Sequence, residues 1–147
     1  MMIVVRTLAV AALLLMASLA QAQNRVASER GLEALVKATL LTFNDANVTG
    51  NYEVFHAKLS KPFREQFSVE RLARRFQEFN KKHIDFDVIA ALKPAYDPAA
   101  KVDDEGRLLV KGHFPTEPLR LNFDLAFIPS DGEWKLISIN VKIDDPK

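Results

Sequence analysis

The side chains with chemical capacity are few. Seven aromatic residues are placed to line a cavity: Tyr52, Phe55 and Phe79 in helical pattern, Tyr96 in a loop, and Phe114, Phe123 and Trp134 in strand pattern. Aromatic walls with a few polar tips suit a small apolar ligand. Trp134 is expected to be buried where the last hairpin meets the helices. His83, Asp85 and Asp87 alternate, so they would share one strand face, where alternate side chains can converge on a cation. No second histidine is near, and charges on an edge strand commonly serve to block edge pairing, so no metal is assigned. His56 sits beside Phe55 on a short helical segment and carries no assigned role. Ser60, Ser68 and Ser138 lack the strand–turn–helix setting of a nucleophile, and there is no glycine-rich phosphate loop. No cofactor is indicated.

A carboxylate acting as a base inside an apolar cavity would have to lie on an inward strand phase, where burial raises its pKa. The inward phases read Ile84, Phe86, Val88 and Leu92, then Leu108, Val110 and Phe114, then Leu121 to Phe127 at every second position. Asp85, Asp87, His113 and Asp124 fall on the opposite phase. Asp45 and Glu53 remain at a helix rim. No catalytic residue is assigned.

Those residues need elements to position them. Ser28 can cap a helix whose apolar stripe is Leu32, Leu35, Val36, Leu40 and Phe43, stopped by the run from Asn47 to Asn51. A short second helix carries Tyr52, Phe55 and Leu59 and is broken by Ser60-Lys61-Pro62. Ser68 caps a third helix with Val69, Leu72, Phe76 and Phe79 on one face. Period-two patterns then predict strands over 84–92, 108–114, 119–128 and 134–143, with 94–106 a loop and Ser130-Asp131-Gly132 a hairpin turn. The expected fold class is α+β: three N-terminal helices packed on a curved four-strand antiparallel sheet.

Composition narrows the classes. The chain has 147 residues, no cysteine, 48% hydrophobic and 27% charged residues. It can form neither disulfides nor thiolate metal sites. Met1 to Ala22 reads as a signal peptide, with Arg6 as its positive start, an apolar run from Leu8 and Ala20-Gln21-Ala22 as the cleavage site. Residues 23–147 would then form one domain, and no stable membrane anchor would remain after cleavage. The remaining 19 basic and 19 acidic residues balance, which argues against nucleic acid as a partner. Charge divides within the chain: net +4 over residues 23–82 and net −4 over residues 83–147. A cysteine-free exported chain fits a bacterial periplasm or secretion to the medium.

The stretch NYEVFHAKLSKPFREQFSVERLARRFQEF (51–79) resembles the second and third helices of small exported proteins of the nuclear transport factor 2-like superfamily. The end, PLRLNFDLAFIPSDGEWKLISINVKI (118–143), resembles that family's last hairpin: an alternating strand, an acidic-Gly turn, Trp-Lys-Leu and a branched-aliphatic strand. The resemblance implies the cystatin-like α+β cone. It leaves function open, because the family includes isomerases, dehydratases, ligand carriers and transport factors. The expectation is an exported, non-enzymatic binding or accessory protein holding a small apolar ligand in the cone or a protein on the sheet. The alternatives are an isomerase- or dehydratase-like enzyme with a buried acid, and a purely structural interaction module.

The outer sheet face is not cleanly polar in sequence. Ile89 and Leu109 fall opposite the core phase, and the last strand changes phase after Leu136, so that Ile137, Ile139, Val141 and Ile143 oppose Trp134. If both faces are apolar, the resemblance implies a homodimer through Ile89, Leu109 and Ile139. If instead a bulge interrupts the strand near Leu136-Ile137, the second set returns to the core.

Overall fold

The computed structural model describes residues 26–144; the leader expected over residues 1–22 lies outside them. The first helix, α1 (Glu29–Thr49), begins where Ser28 Oγ accepts from the Gly31 N–H at 3.2 Å. It ends at Gly50, whose φ of 73° is the left-handed value glycine adopts without strain. The predicted stripe faces inward: Leu32, Val36, Leu40 and Phe43 are buried, and Leu35 is half-buried beside them.

Four short helices follow rather than two: α2 (Glu53–Lys58), α3 (Lys61–Gln66), α4 (Val69–Arg75) and α5 (Gln77–Lys81). The Ser60-Lys61-Pro62 break is itself a helix start, because proline is tolerated in a first turn whose N–H has no partner. Ser68 caps α4 through the Arg71 N–H. The third predicted helix divides at Phe76, and both pieces aim their aromatic rings at Phe43. Phe76 and Phe79 meet it edge-on, with centroids 4.8 and 5.4 Å away.

No strand forms over 84–92. His83 has a φ of 52°, and Asp87–Ala91 is a 3₁₀ turn. The cause is a side chain of α1. Asn44, 2% exposed, donates to Asp85 Oδ1 at 2.8 Å and accepts the Phe86 N–H at 2.9 Å. It thus takes a backbone donor that a sheet ladder would need. The turn exchanges one pair of predicted positions: Ile89 is 0% exposed and Val88 is 50% exposed, while Phe86 stays buried and Ile84 and Leu92 pack on the core as expected.

The sheet has five strands rather than four, all antiparallel. The predicted loop 94–106 contains β1 (Ala95–Tyr96) and β2 (Lys101–Val102), which pair with opposite ends of one edge of β3 (Leu108–Phe114). Gly112 permits the β1 contact. A Cβ there would lie 2.0 Å from the Ala95 carbonyl oxygen. The rest of the order is β3, β4 (Arg120–Ser130) and β5 (Glu133–Asp144). Asp131 and Gly132, with φ of 51° and 78°, make the tight β4–β5 turn.

Leu121, Phe123, Leu125 and Phe127 of β4 are buried, and β5 follows their lead. Phe127 pairs with Leu136 and Ala126 with Ser138, so Ile137 is an extra residue and forms a bulge. Beyond it Ile139, Val141 and Ile143 oppose Leu125, Phe123 and Leu121. Opposed residues of an antiparallel pair share a face, so all three return to the core.

The homodimer expectation therefore loses two of its three contact positions. Ile89 is buried in the 3₁₀ turn and Ile139 packs on the core, while Leu109, paired with Ala126, stays on the outer face. Around Leu109 that face carries Lys111, Asp124 and Asn140 rather than an apolar sheet.

Candidate functional site

Five of the seven predicted ligand aromatics fill the interior. Tyr52 and Phe114 are buried, and the Tyr52 ring stacks on Phe76 at 6.4 Å and 13°. The Tyr52 hydroxyl donates to Asn47 Oδ1. Phe79 packs on Phe43, and Phe123 lies between Phe114 at 5.7 Å and Tyr96 at 6.4 Å. A cone lined by all seven is not left open.

Phe55 is buried as well, with its ring 5.4 Å from Phe43, whereas Trp134 is half-buried. Phe55 and Trp134 line a cleft of about 340 Å³ where the β4–β5 hairpin leans over α1 and α2. From α1 it takes Leu35, Ala38, Thr39 and Thr42, spaced so that they share one helix face. From α2 and the residue after it come Phe55, Lys58 and Leu59. Phe127, Trp134 and Leu136 close it from the sheet, all on the core face by register. Glu133 and Lys135 also border the cleft, but the pleat turns their side chains to the opposite face. Trp134 does lie where the hairpin meets the helices, yet it is half-buried rather than buried, because the cleft exposes one side of it.

The polar tips are specific. Thr39 Oγ1 donates to the Leu35 carbonyl at 2.8 Å, and Thr42 Oγ1 donates to the Ala38 carbonyl at 2.7 Å. Both hydroxyl protons are therefore used within the helix. The Lys58 ammonium donates to Thr42 Oγ1 at 3.3 Å, which holds it against the α1 wall. Of the other lining residues, the sequence offers Leu35, Leu59, Phe127 and Leu136 as apolar positions of their elements and does not single out Ala38, Thr39, Thr42, Ala57 and Lys58. A small-residue row beside the apolar stripe of α1 was the available signal.

The acids and histidines stay out of the interior. Asp45, Glu53, Asp85, Asp87 and Asp124 are exposed, and the buried polar side chains are Asn44, Asn47 and Ser60. His83, Asp85 and Asp87 do not share a strand face. Asp85 instead accepts from Asn44 and from the Asp87 N–H. Among the described residues no three His, Cys, Asp or Glu side chains are grouped to hold a metal ion. His56 Nε2 lies 2.9 Å from the Phe67 carbonyl oxygen, which fixes it to the chain between α3 and α4. Among the described residues, the side chains with strongly moved pKa values are two phenols. Burial pushes Tyr52 up to about 12, and burial, then Glu33 and Glu29, push Tyr96 up to about 12.

A second concavity, about 440 Å³, lies at the other end of the sheet, between 82–88 and the β3–β4 loop. Its border mixes Lys82, His83, Asp85 and Glu117 with the exposed Val88 and Leu119. Its floor is apolar as well, from Ile84, Phe86, Leu121 and Ile143, but charges of both signs stand on its rim. No helix of the described residues is long and apolar enough to cross a membrane. Among known proteins, no family model, no curated protein and no solved structure matches the chain.

Proposed function

We propose that this chain is an exported, non-enzymatic binding protein, and that a small apolar ligand lies in the cleft between α1, α2 and the β4–β5 hairpin. The observation that carries the reading is the half-buried Trp134. It is a large apolar side chain held at the mouth of a cleft whose floor is Leu35, Phe55, Phe127 and Leu136. An open volume with an apolar lining and few polar tips is what small-ligand sites have in common. Phe55 of that floor packs on the core ring Phe43, with centroids 5.4 Å apart.

The resemblance to the nuclear transport factor 2-like superfamily belongs to the same proposal. One long helix laid on an antiparallel sheet, with short helices beside it, suits a ligand-holding member of that kind. The interior also disfavours the isomerase or dehydratase alternative. Such chemistry needs a buried acid or base near pH 7, and the buried polar groups here are amides, a serine and a phenol held neutral.

Native mass spectrometry of the chain, expressed with its leader and kept in non-denaturing buffer, tests the reading. We expect a fraction carrying one small non-covalent adduct that leaves on collisional activation. Unliganded protein alone, from both the periplasm and the medium, would favour the purely structural module.

A further inference from the structure

The cleft's donors and acceptors select among apolar ligands. Thr39 and Thr42 have spent their protons on the Leu35 and Ala38 carbonyls, so each offers a ligand only lone pairs. Lys58 differs. One of its three N–H groups reaches Thr42 Oγ1, and the others make no hydrogen bond among the described residues. The ion pairs of the described residues use Lys37, Lys61, Lys81, Arg107 and Lys111, and none uses Lys58. By the pleat, Glu133 and Lys135 turn away, so the one charge on the cleft's side-chain wall is a cation without a carboxylate. From these observations we infer that the ligand is amphipathic, with an aliphatic body between Trp134, Phe55 and Leu35 and a carboxylate at Lys58. This rests on the binding role proposed above.

An anionic oxygen at Lys58 would complete the ammonium's shell with charge-assisted hydrogen bonds. Lys58 is exposed, so water and salt weaken that gain, and the effect is a selectivity rather than an all-or-none requirement. A neutral alcohol of the same length would bury the same chain without the ionic contact.

Trp134 is the only tryptophan of the chain, so its fluorescence reports directly from the cleft. Decanoate and decanol, below their aggregation limits, are titrated into the wild type, Lys58→Met and Lys58→Arg at low salt. The inference expects both probes to shift Trp134 emission to the blue, with decanoate about fivefold the tighter. Lys58→Met, which keeps the aliphatic stem, should remove that preference while decanol still binds, and Lys58→Arg should retain most of it. Equal affinities in the wild type, or a decanoate preference that survives in Lys58→Met, would overturn the carboxylate assignment while leaving the apolar site standing. No response to either probe would overturn the binding reading itself.

Discussion

Tyr52 shows how a polar group is held inside an aromatic core. Its ring is enclosed by Phe55 and Phe76, and its hydroxyl keeps one partner, Asn47. A buried phenolate would lose its hydration, so the proton stays on until about pH 12. Tyr96 behaves alike, with the carboxylates of Glu33 and Glu29 adding to the effect of burial. In the unfolded chain both phenols ionise near pH 10. Between that pH and about 12 the unfolded state binds fewer protons than the folded one, so stability falls as pH rises. The contribution is complete below pH 10. Urea midpoints should hold steady from pH 7 to 9 and decline above 10, and the decline should be shallower in Tyr52→Phe. Midpoints that stay level to pH 12 would mean that the phenols ionise freely in the folded chain. The sequence places Tyr52 on the short second helix as an aromatic of a ligand cavity, whereas it is part of the filled core. Its partner Asn47 was legible only as part of a helix-stopping run.

At the level of elements, β5 carries the clearest test. Its core positions are Trp134 and Leu136 before the bulge, and Ile139, Val141 and Ile143 after it. Removing Ile137 deletes the one unpaired residue and leaves an unbroken alternation, so every later side chain keeps its face. That deletion should fold and lose about 1–2 kcal/mol for a half-buried aliphatic side chain. Removing Asn140 keeps the strand's count of residues equal to that variant but breaks the phase. Either Val141 and Ile143 turn to solvent, or Ser138 enters the core in place of Ile139. A loss of about 3 kcal/mol or more should follow in urea unfolding followed by circular dichroism. Similar losses for the two deletions would argue against the bulge. The phase change at Leu136-Ile137 was readable in the sequence, and with it the choice between a bulge and a two-sided apolar strand. The 84–92 segment was misread because Ile84, Phe86 and Val88 alternate as a strand would. What overrides the pattern is Asn44, which lies 41 and 42 residues away from its partners and leaves no local trace. The pairs β1 and β2, two residues each, are too short to carry a period at all.

For the whole molecule, the α+β class, the helix-first order and the β4–β5 hairpin follow from periodicity and capping, because those signals are local. The Trp134 cleft is not local. It exists because α1 presents small side chains, Ala38, Thr39 and Thr42, to a hairpin almost a hundred residues further on, and those side chains are too small to fill the gap below Trp134. Phe55 and Trp134 were identifiable as cavity aromatics by type, but their separation from the other five depended on tertiary packing. Of the charge divided between the basic helical half and the acidic sheet half, the cleft's side-chain wall takes the exposed Lys58 from the helical half. Ala38 is exposed on the cleft wall, one turn from Leu35 and from Thr42, so a larger side chain there should occupy the volume without entering the core. Equilibrium dialysis of decanol against the wild type and Ala38→Phe is therefore the most direct measurement. A ligand cleft at this place requires saturable binding of one decanol per wild-type chain, at least tenfold weaker binding to Ala38→Phe, and equal urea midpoints for the two proteins. Equal decanol binding by two equally stable proteins would place any ligand site elsewhere and contradict the assignment.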